Sequence, residues 1–360
     1  MSKRPSNFKK PSHNVNSKAP KLAQKEEDDP STFEQELMLL DEMDTEQVEM
    51  EQVTGSEGNL DDDKVSSKTW ERPSLPSLDP KSDKIIFQIL DVDHYKGAKV
   101  NGMPGKADTY IPISRLFGIT ETGNSICAHV YGFLPYFYVP APPELTDASD
   151  LRLCLEALNA AVLKQLRAKE AEGIPNPVVG LKLQQKENIY GYNNQKKETF
   201  LQISIIIPRL VATAKRVLEQ GFAFPNCSFR SFAIFEANID FEIRFMVDTG
   251  ITGCCWVELP PGQYQIRQGD DRTTRCQLET NVGVEQLKVY PSEGEWAKIA
   301  PLRILSFDIE CAGRKGVFPT PDVDPVIQIA NMVSLYGETR PFIRNVFTLN
   351  TCAPIIGSQV

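Results

Sequence analysis

Residues 301–350 read PLRILSFDIECAGRKGVFPTPDVDPVIQIANMVSLYGETRPFIRNVFTLN. Three apolar runs within this stretch, 302–310, 326–336 and 341–350, have the length and the β-branched content that are typical of strands. A loop containing glycine and proline separates the first two runs, and the short turn YGETR separates the last two. The segment therefore predicts a three-stranded β-meander.

Two acidic residues, Asp308 and Glu310, lie two positions apart at the end of the first run. Strand alternation places them on one face, together with Ile304 and Ser306, and places the apolar residues between them on the other face. Such a carboxylate pair suits a two-metal site, in which divalent cations bind around a phosphodiester. The D-x-E pattern alone is also consistent with a strand end that simply faces solvent.

The strings FDIECAGRKG, FPTPDVDPVIQIAN and PFIRNVFTLNTCAPI resemble the opening of the 3′ to 5′ proofreading exonuclease domain of family B DNA polymerases. The resemblance implies an RNase H-like fold with a two-metal Mg²⁺ site. It places Asp308 and Glu310, as catalytic residues and metal ligands, at the first exonuclease motif of the family. It also implies that the preceding domain lies alongside the template strand.

The chain lacks other motifs of that family, namely N-x-x-x-F/Y-D, Y-x-x-x-D, SLYPS, YGDTDS and the carboxyl-terminal cysteine clusters. We therefore expect a fragment or truncated isoform that has no exonuclease or polymerase activity alone, with the family's iron–sulfur cluster outside this chain. After Glu310 the only aspartates are Asp322 and Asp324, for which a solvated turn is predicted. The resemblance implies DNA template-primer, nucleotides, accessory polymerase subunits and a sliding clamp as partners, and a nuclear location.

Upstream, the sequence predicts strands near 84–93, 109–114 and 125–133, followed by elements in the order β-α-β-β-α-β. Its predicted helices cover about 147–169 and the residues after Pro208, and its last strand is 228–236. This order is that of a ferredoxin-like unit, which argues for a fold more than for a function. Further strands are expected at 237–248, 253–259, 276–282 and 287–290, closing onto the first strands. Cys254 and Cys255 are expected on opposite sides of one of these strands.

No residue is assigned to DNA contact from the sequence. Lys182, Lys186, Lys196 and Lys197 supply charge for weak, salt-dependent binding of single-stranded DNA, although they are equally consistent with a solvated face. Tyr136 and Tyr138 share a strand face, and packing in a core or against a helix is favoured over base stacking.

The net charge of −9 comes from the amino-terminal region, because residues 1–25 carry seven bases and no acid, and residues 26–63 carry sixteen acids and no base. Such segregated charge predicts a disordered tail over residues 1–80. Its basic part is consistent with a nuclear-localisation signal or with a solvated basic tail. The sequence at 33–43 predicts a short helix, which either binds a partner or forms only transiently. The expected domains are this tail, an 81–300 amino-terminal domain and a 301–360 start of the exonuclease domain. The overall class is multidomain α+β or α/β.

No apolar run is long enough to span a membrane, no signal peptide is evident, and the eight cysteines include no CxxC pair. We therefore expect a soluble intracellular protein with reduced thiols and no membrane partner. Two alternatives to the polymerase hypothesis stay open. One is a non-catalytic module that binds nucleic acid or protein, and the other is an unrelated DEDD-type nuclease, which the long upstream domains disfavour.

Overall fold

The computed structural model describes residues 72–105, 109–188, 196–224 and 227–351. The strands are β1 (Ile85–Ala98), β2 (Tyr110–Thr120), β3 (Ser125–Tyr131), β4 (Tyr136–Pro140), β5 (Val178–Glu187), β6 (Lys197–Ile205), β7 (Phe222–Phe224), β8 (Cys227–Phe229), β9 (Trp256–Leu259), β10 (Tyr264–Ile266), β11 (Leu278–Gly283), β12 (Lys288–Tyr290), β13 (Arg303–Cys311), β14 (Val326–Leu335) and β15 (Ile343–Thr348). The helices are α1 (Ala148–Gln165), α2 (Ala168–Ala171), α3 (Leu210–Gln220) and α4 (Phe241–Thr249). Short 3-10 turns occur at Gly269–Asp271, Val284–Gln286 and Gly294–Ala297.

The largest layer is a seven-stranded sheet in the order β10-β11-β3-β2-β1-β9-β12. Its strand pairs are antiparallel except for β11 and β3, which run parallel. The late strands therefore close onto the first three, as the sequence predicts. A core formed by residues such as Phe87, Leu116, Val130 and Val257 lies on this sheet, and Phe245 of α4 packs into it.

The second layer follows the ferredoxin-like order, with a sheet β4-β6-β5 and the helices α1 and α3. Its fourth strand is shorter than predicted. Within 228–236, residues up to Phe229 pair with β7, and a single antiparallel bridge between Phe235 and Tyr138 occupies the fourth-strand position. The mixed α+β class and the order of the unit are confirmed, but a full last strand is not.

Helix α1 begins after Asp147, whose carboxylate accepts hydrogen bonds from the amides of Ser149 and Asp150. It ends earlier than predicted, because the chain becomes extended at Leu166. A new helical turn, α2, then starts where Glu170 accepts from the amide of Arg167 at 2.8 Å. The predicted single helix over 147–169 is therefore two helices.

The prediction of a strand at 237–248 is wrong, because most of this segment forms the helix α4. Phe241, Arg244 and Phe245 are buried on one side, whereas Ile243 and Val247 are 51% and 68% exposed. Gly250, at a φ of 74°, ends the helix in the left-handed conformation that glycine tolerates best. The buried residues of this segment therefore follow the three-to-four residue spacing of a helix, and not the two-residue alternation of a strand.

The three carboxyl-terminal strands form the predicted meander, an antiparallel sheet in the order β13-β14-β15. This confirms the strands expected at the opening of an RNase H-like domain. Most of its side chains are exposed on both faces, with Val333, at 1% exposure, the main exception.

The predictions for residues 1–71, including the basic cluster and the helix at 33–43, lie outside the described residues. Residues 72–80, which the sequence grouped with the tail, are held against the large sheet. Asn124 and Gln277 both donate side-chain hydrogen bonds to the Pro73 carbonyl, at 3.0 and 2.8 Å. Within the described part of the chain, no helix is both long and apolar enough to cross a membrane.

Candidate functional site

The candidate site is the carboxylate pair near the end of β13. In the antiparallel register Asp308 lies opposite Ala330 and Glu310 lies opposite Gln328. Both acidic residues are exposed on the same face of the sheet, as strand alternation predicts. The amide of Ile309 donates to Asp308 Oδ1 at 2.9 Å. Ala330, the residue opposite Asp308, has only a methyl side chain.

Three residues of the neighbouring strands share this face and were not identified from the sequence. Gln328 lies opposite Glu310, and Thr348 lies opposite Gln328 on the next strand. Arg344 lies opposite Met332, which pairs with Ser306, two residues before Asp308 on β13. Arg344 is exposed. They can be identified by strand alternation along β14 and β15, but only once the register between β13 and β14 is known.

The loop between β13 and β14 differs from its prediction. Asp322 is exposed, but Asp324 is 3% exposed, so the expected solvated turn is wrong for Asp324. Arg314 donates to both Asp324 oxygens, at 3.2 and 3.1 Å, and the Thr320 amide donates at 2.9 Å. The Arg314 guanidinium, followed by the Thr320 amide, lowers the pKa of Asp324. Asp324 therefore holds together the loop between β13 and β14 through its contacts with Arg314 and Thr320.

The donors at the pair fit a hard divalent cation in kind, because carboxylate oxygens are its preferred protein ligands. In number they are insufficient, since such an ion takes about six oxygens. Among the described residues no group of three or more His, Cys, Asp or Glu side chains is arranged to hold a metal ion. Asp308 and Glu310 supply two acidic side chains from one strand, so a divalent ion held there would need further oxygens from elsewhere.

Tyr136 and Tyr138 are packed, as favoured from the sequence. The hydroxyl of Tyr136 donates to Asp248 Oδ2 at 2.6 Å, and the Arg244 guanidinium lies 4.7 Å from its ring centre. Tyr138 is 4% exposed, and its ring packs edge-to-face against that of Tyr136. These contacts leave neither ring free for base stacking.

The four candidate lysines lie on the β5–β6 hairpin or just before β6, and all are exposed. Lys186 places its ammonium 4.6 Å from the ring centre of Tyr138. The hairpin therefore presents positive charge, which fits either a nucleic-acid surface or a solvated face.

Six cysteines whose side chains are described form no disulfide bond: Cys127, Cys154, Cys254, Cys255, Cys276 and Cys311. Cys254 has a φ of 57° and precedes β9, so the prediction that it shares a strand with Cys255 is wrong. Cys254 is exposed, whereas Cys255 is buried.

Comparisons with known proteins identify two matching family models. Residues 232–358 match "DNA polymerase family B, exonuclease domain", and residues 132–212 match "DNA polymerase delta catalytic subunit-like, N-terminal domain". The first match contains the carboxylate pair, and the second contains most of the ferredoxin-like unit.

Three relatives are described as DNA polymerase delta catalytic subunits. The Drosophila melanogaster protein is 47% identical over 306 residues, which cover 84% of this chain and 28% of the relative. The Mesocricetus auratus protein is 45% identical over 93% of this chain and 31% of the relative, and the Schizosaccharomyces pombe protein is 40% identical over 84% and 26%. The chain thus spans under a third of the length of these relatives.

Among solved structures, a family B DNA polymerase from the hyperthermophilic archaeon Pyrobaculum calidifontis matches with a TM-score of 0.47 and 22% identity. That match covers 73% of this chain and 26% of the archaeal chain.

Proposed function

The chain belongs to family B of the DNA polymerases, and on this premise we propose that its residues serve a replicative DNA-directed DNA polymerase with a 3′ to 5′ proofreading exonuclease. Its role in that enzyme is in DNA replication and repair. The observation that carries the proposal is the register of β13, which places Asp308 and Glu310 side by side on an exposed face within the exonuclease match.

In this proposal Asp308 and Glu310 are catalytic residues and ligands of Mg²⁺. When bound, divalent ions at such a site acidify the attacking water and stabilise the leaving oxygen of a phosphodiester. The two side chains contribute negative charge held at a fixed spacing along one strand. The exposed face lets a nucleic-acid strand approach them.

The remaining features of the proposed enzyme follow from its family. The proposed domains are a tail at 1–71, an amino-terminal domain at 72–300, which includes the residues 72–80 held against the large sheet, and an exonuclease segment from 301. Its partners are DNA template-primer and nucleotides, together with accessory subunits and a sliding clamp. The proposed location is the nucleus, and the iron–sulfur cluster of the family has no proposed ligand within these residues.

The test is a primer-degradation assay with Mg²⁺ on a mismatched 3′ end. It compares the 360-residue chain, a longer polymerase that contains this sequence, and that polymerase with Asp308→Ala and Glu310→Ala. We expect the double variant to degrade the primer at least about 100-fold more slowly, because several kcal/mol of metal-dependent stabilisation is lost. Nucleotide addition should remain largely intact.

We expect the 360-residue chain alone to show no degradation, because two carboxylates do not fix a divalent ion. Asp322→Ala with Glu338→Ala is the matched control, since it removes two exposed acids elsewhere on the meander and should leave degradation unchanged. Robust degradation by the short chain, or unimpaired degradation by the Asp308 and Glu310 variant, would contradict the assignment.

A further inference from the structure

The segment 291–300 joins β12, the last strand of the large sheet, to β13, and it is held by aromatic contacts. Its short 3-10 turn places the ring of Trp296 on that of Tyr290, with ring centres 4.0 Å apart and planes inclined by 14°. The ring of Trp256, on β9, lies 6.1 Å from that of Trp296. We call Tyr290, Trp296, Trp256 and Lys298 the Trp296 clasp.

Lys298 contributes to the clasp through both its backbone and its side chain. The indole N–H of Trp256, a residue that is 1% exposed, donates to the Lys298 carbonyl at 2.9 Å. The Lys298 ammonium lies 5.3 Å from the ring centre of Trp256 and 5.1 Å from that of Trp296, and it also forms an ion pair with Glu121 in the β2–β3 turn. A cation over an aromatic face is attracted to it, so both tryptophans hold the chain at position 298.

A buried hydrogen bond fixes the end of the segment on the sheet. Gln88, on β1, is 5% exposed, and its Oε1 accepts from the Ala300 amide at 2.8 Å. Two residues further on, the Leu302 carbonyl accepts from the amide of Tyr336, which follows β14, at 2.8 Å. Only Pro301 therefore separates the residue bonded to the sheet from the residue bonded to the meander.

Beyond this connection the start of β13 stands off the sheet. Among the described strands, β13, β14 and β15 form ladder hydrogen bonds only with one another. An open cleft of about 620 Å³ lies between Leu90 and Ile119 of the sheet and Leu302 and Ile304. Asp308 lies six residues after Leu302, which is about 20 Å along an extended strand. A rotation of about 10° at the clasp would move Asp308 by roughly 3 Å over that length.

We propose that the Trp296 clasp positions the Asp308–Glu310 pair for a 3′ end that belongs to a primer–template, an inference that rests on the proposed exonuclease function. The clasp residues are positioning residues, because they act through the direction of β13. The duplex of a primer–template is held elsewhere in the enzyme, so its 3′ end reaches a fixed place. A free single strand is not held in this way and follows the carboxylates wherever they lie.

The test uses the longer polymerase that contains this sequence, with two substrates of equal sequence at the 3′ end. We expect Trp296→Ala to slow removal of a mismatched 3′ end from a primer–template about tenfold, because displacements of about 1 Å already cost up to 100-fold in rate. Degradation of the single-stranded oligonucleotide should change less than about twofold, since its 3′ end can follow the displaced site. Trp296→Tyr keeps a ring that can stack on Tyr290 and should restore most of the lost rate.

Phe232→Ala is the matched control. It removes a ring that is 71% exposed and lies 4.5 Å from the Arg230 guanidinium, outside the clasp. Both rates should stay at the parental value in this variant. A second variant, with two glycines inserted after Pro301, keeps the clasp and loosens its link to β13, so it should reproduce the selective loss of Trp296→Ala.

Equal losses on the two substrates in Trp296→Ala would overturn the proposal, because the clasp would then only stabilise the fold. Parental rates on both substrates in Trp296→Ala, or in the glycine insertion, would overturn it as well. The Asp308→Ala and Glu310→Ala double variant separates this failure from that of the proposed function. If it still degrades both substrates, the exonuclease assignment itself is wrong, whereas an inactive double variant beside an unselective Trp296→Ala contradicts the clasp alone.

Discussion

The seven-stranded sheet and the three-stranded meander use their acidic residues in opposite ways. In the sheet, Glu279 has a fully buried side chain surrounded by hydrogen-bond donors. In the meander, Asp308 and Glu310 lie on an exposed face. A buried carboxylate stabilises the fold only if its partners are complete, whereas an exposed one can bind a cation or solvent. The contrast separates acids that stabilise the fold from acids whose carboxylates face solvent in one chain.

The Glu279 carboxylate has hydrogen-bond partners on four residues. The amides and hydroxyls of Thr273 and Thr274 donate to its two oxygens at 2.8 to 3.0 Å. His129 Nε2 lies 2.9 Å from Oε1, and Arg267 Nη1 lies 3.5 Å from it. Burial alone would raise the pKa of Glu279, but the threonine hydrogen bonds outweigh it and lower the pKa to about 2.

The largest expected effect on stability is therefore that of Glu279→Gln. An amide would turn N–H groups toward donors and leave the Arg267 guanidinium without its buried counter-charge, so we expect a loss of about 3–5 kcal/mol in the free energy of unfolding. Glu310→Gln, the matched control in the meander, should change it by less than about 0.5 kcal/mol. Urea denaturation of both variants measures the difference. Equal losses would remove the distinction between the two regions.

The sequence predicted the strands of both regions because their β-branched runs and turns agree with the fold. It failed where two periods fit the same residues. Phe241, Ile243, Phe245 and Val247 alternate like a strand. The packing of Phe245 into the sheet core, and of Phe241 against the Phe133 ring, decides for a helix. The Asp308–Glu310 pair was evident from one strand, whereas Arg344 on the same face depends on two registers.

The burial of a polar side chain also cannot be predicted from strand alternation. Strand alternation does not distinguish Glu279 from an exposed acid. Two of its partners, His129 and Arg267, lie on other strands or loops. The nearby donors, Thr273 and Thr274, reach it only because the loop before β11 folds back onto it. The same is true of Asp324, whose burial depends on an arginine ten residues away. Tertiary contacts, which no local pattern encodes, decide which carboxylates are structural.

The next effect is a dependence of stability on pH that originates in the same network. Burial, with the nearby Arg267 guanidinium, lowers the pKa of His129 from 6.5 to about 4. Its ring is satisfied when neutral, since Nε2–H can donate to Glu279 while Nδ1 accepts from the Tyr95 hydroxyl at 3.0 Å. The unfolded chain therefore binds a proton at His129 at a pH where the folded chain does not.

Stability contributed at His129 is thus complete above pH 6.5 and falls as the pH drops from 6.5 toward 4. Glu279 continues the loss as the pH falls from 4.5 toward 2. We expect roughly 2 kcal/mol less stability at pH 5 than at pH 7 from His129. His129→Gln should flatten this slope, and His13→Gln in the basic segment should not. An unchanged slope in His129→Gln would show that the network does not control acid stability.

The smallest expected effect is in the meander, at the one buried acid it contains among the described residues. Asp324 holds the loop between β13 and β14 through Arg314 and Thr320, and this loop connects Glu310 to the strand that carries Gln328. Asp324→Asn removes the charge that Arg314 binds and puts an N–H group in place of one acceptor. The loop should open more often, while the sheet register stays unchanged.

We expect proteases to cleave the loop at 312–325 several-fold faster in Asp324→Asn, with the melting temperature nearly unchanged. Asp322→Asn is the matched control, because Asp322 is exposed in the same loop and its substitution should leave cleavage at the parental rate. If Asp324→Asn instead destabilised the whole chain as Glu279→Gln is expected to, the meander would depend on its buried acid as the large sheet does. Equal cleavage of the two loop variants would instead mean that the Arg314–Asp324 pair contributes nothing to closing the loop. If cleavage increases only at 312–325, Asp324 stabilises the loop locally, and its role differs from the one proposed for Asp308 and Glu310 in the same sheet.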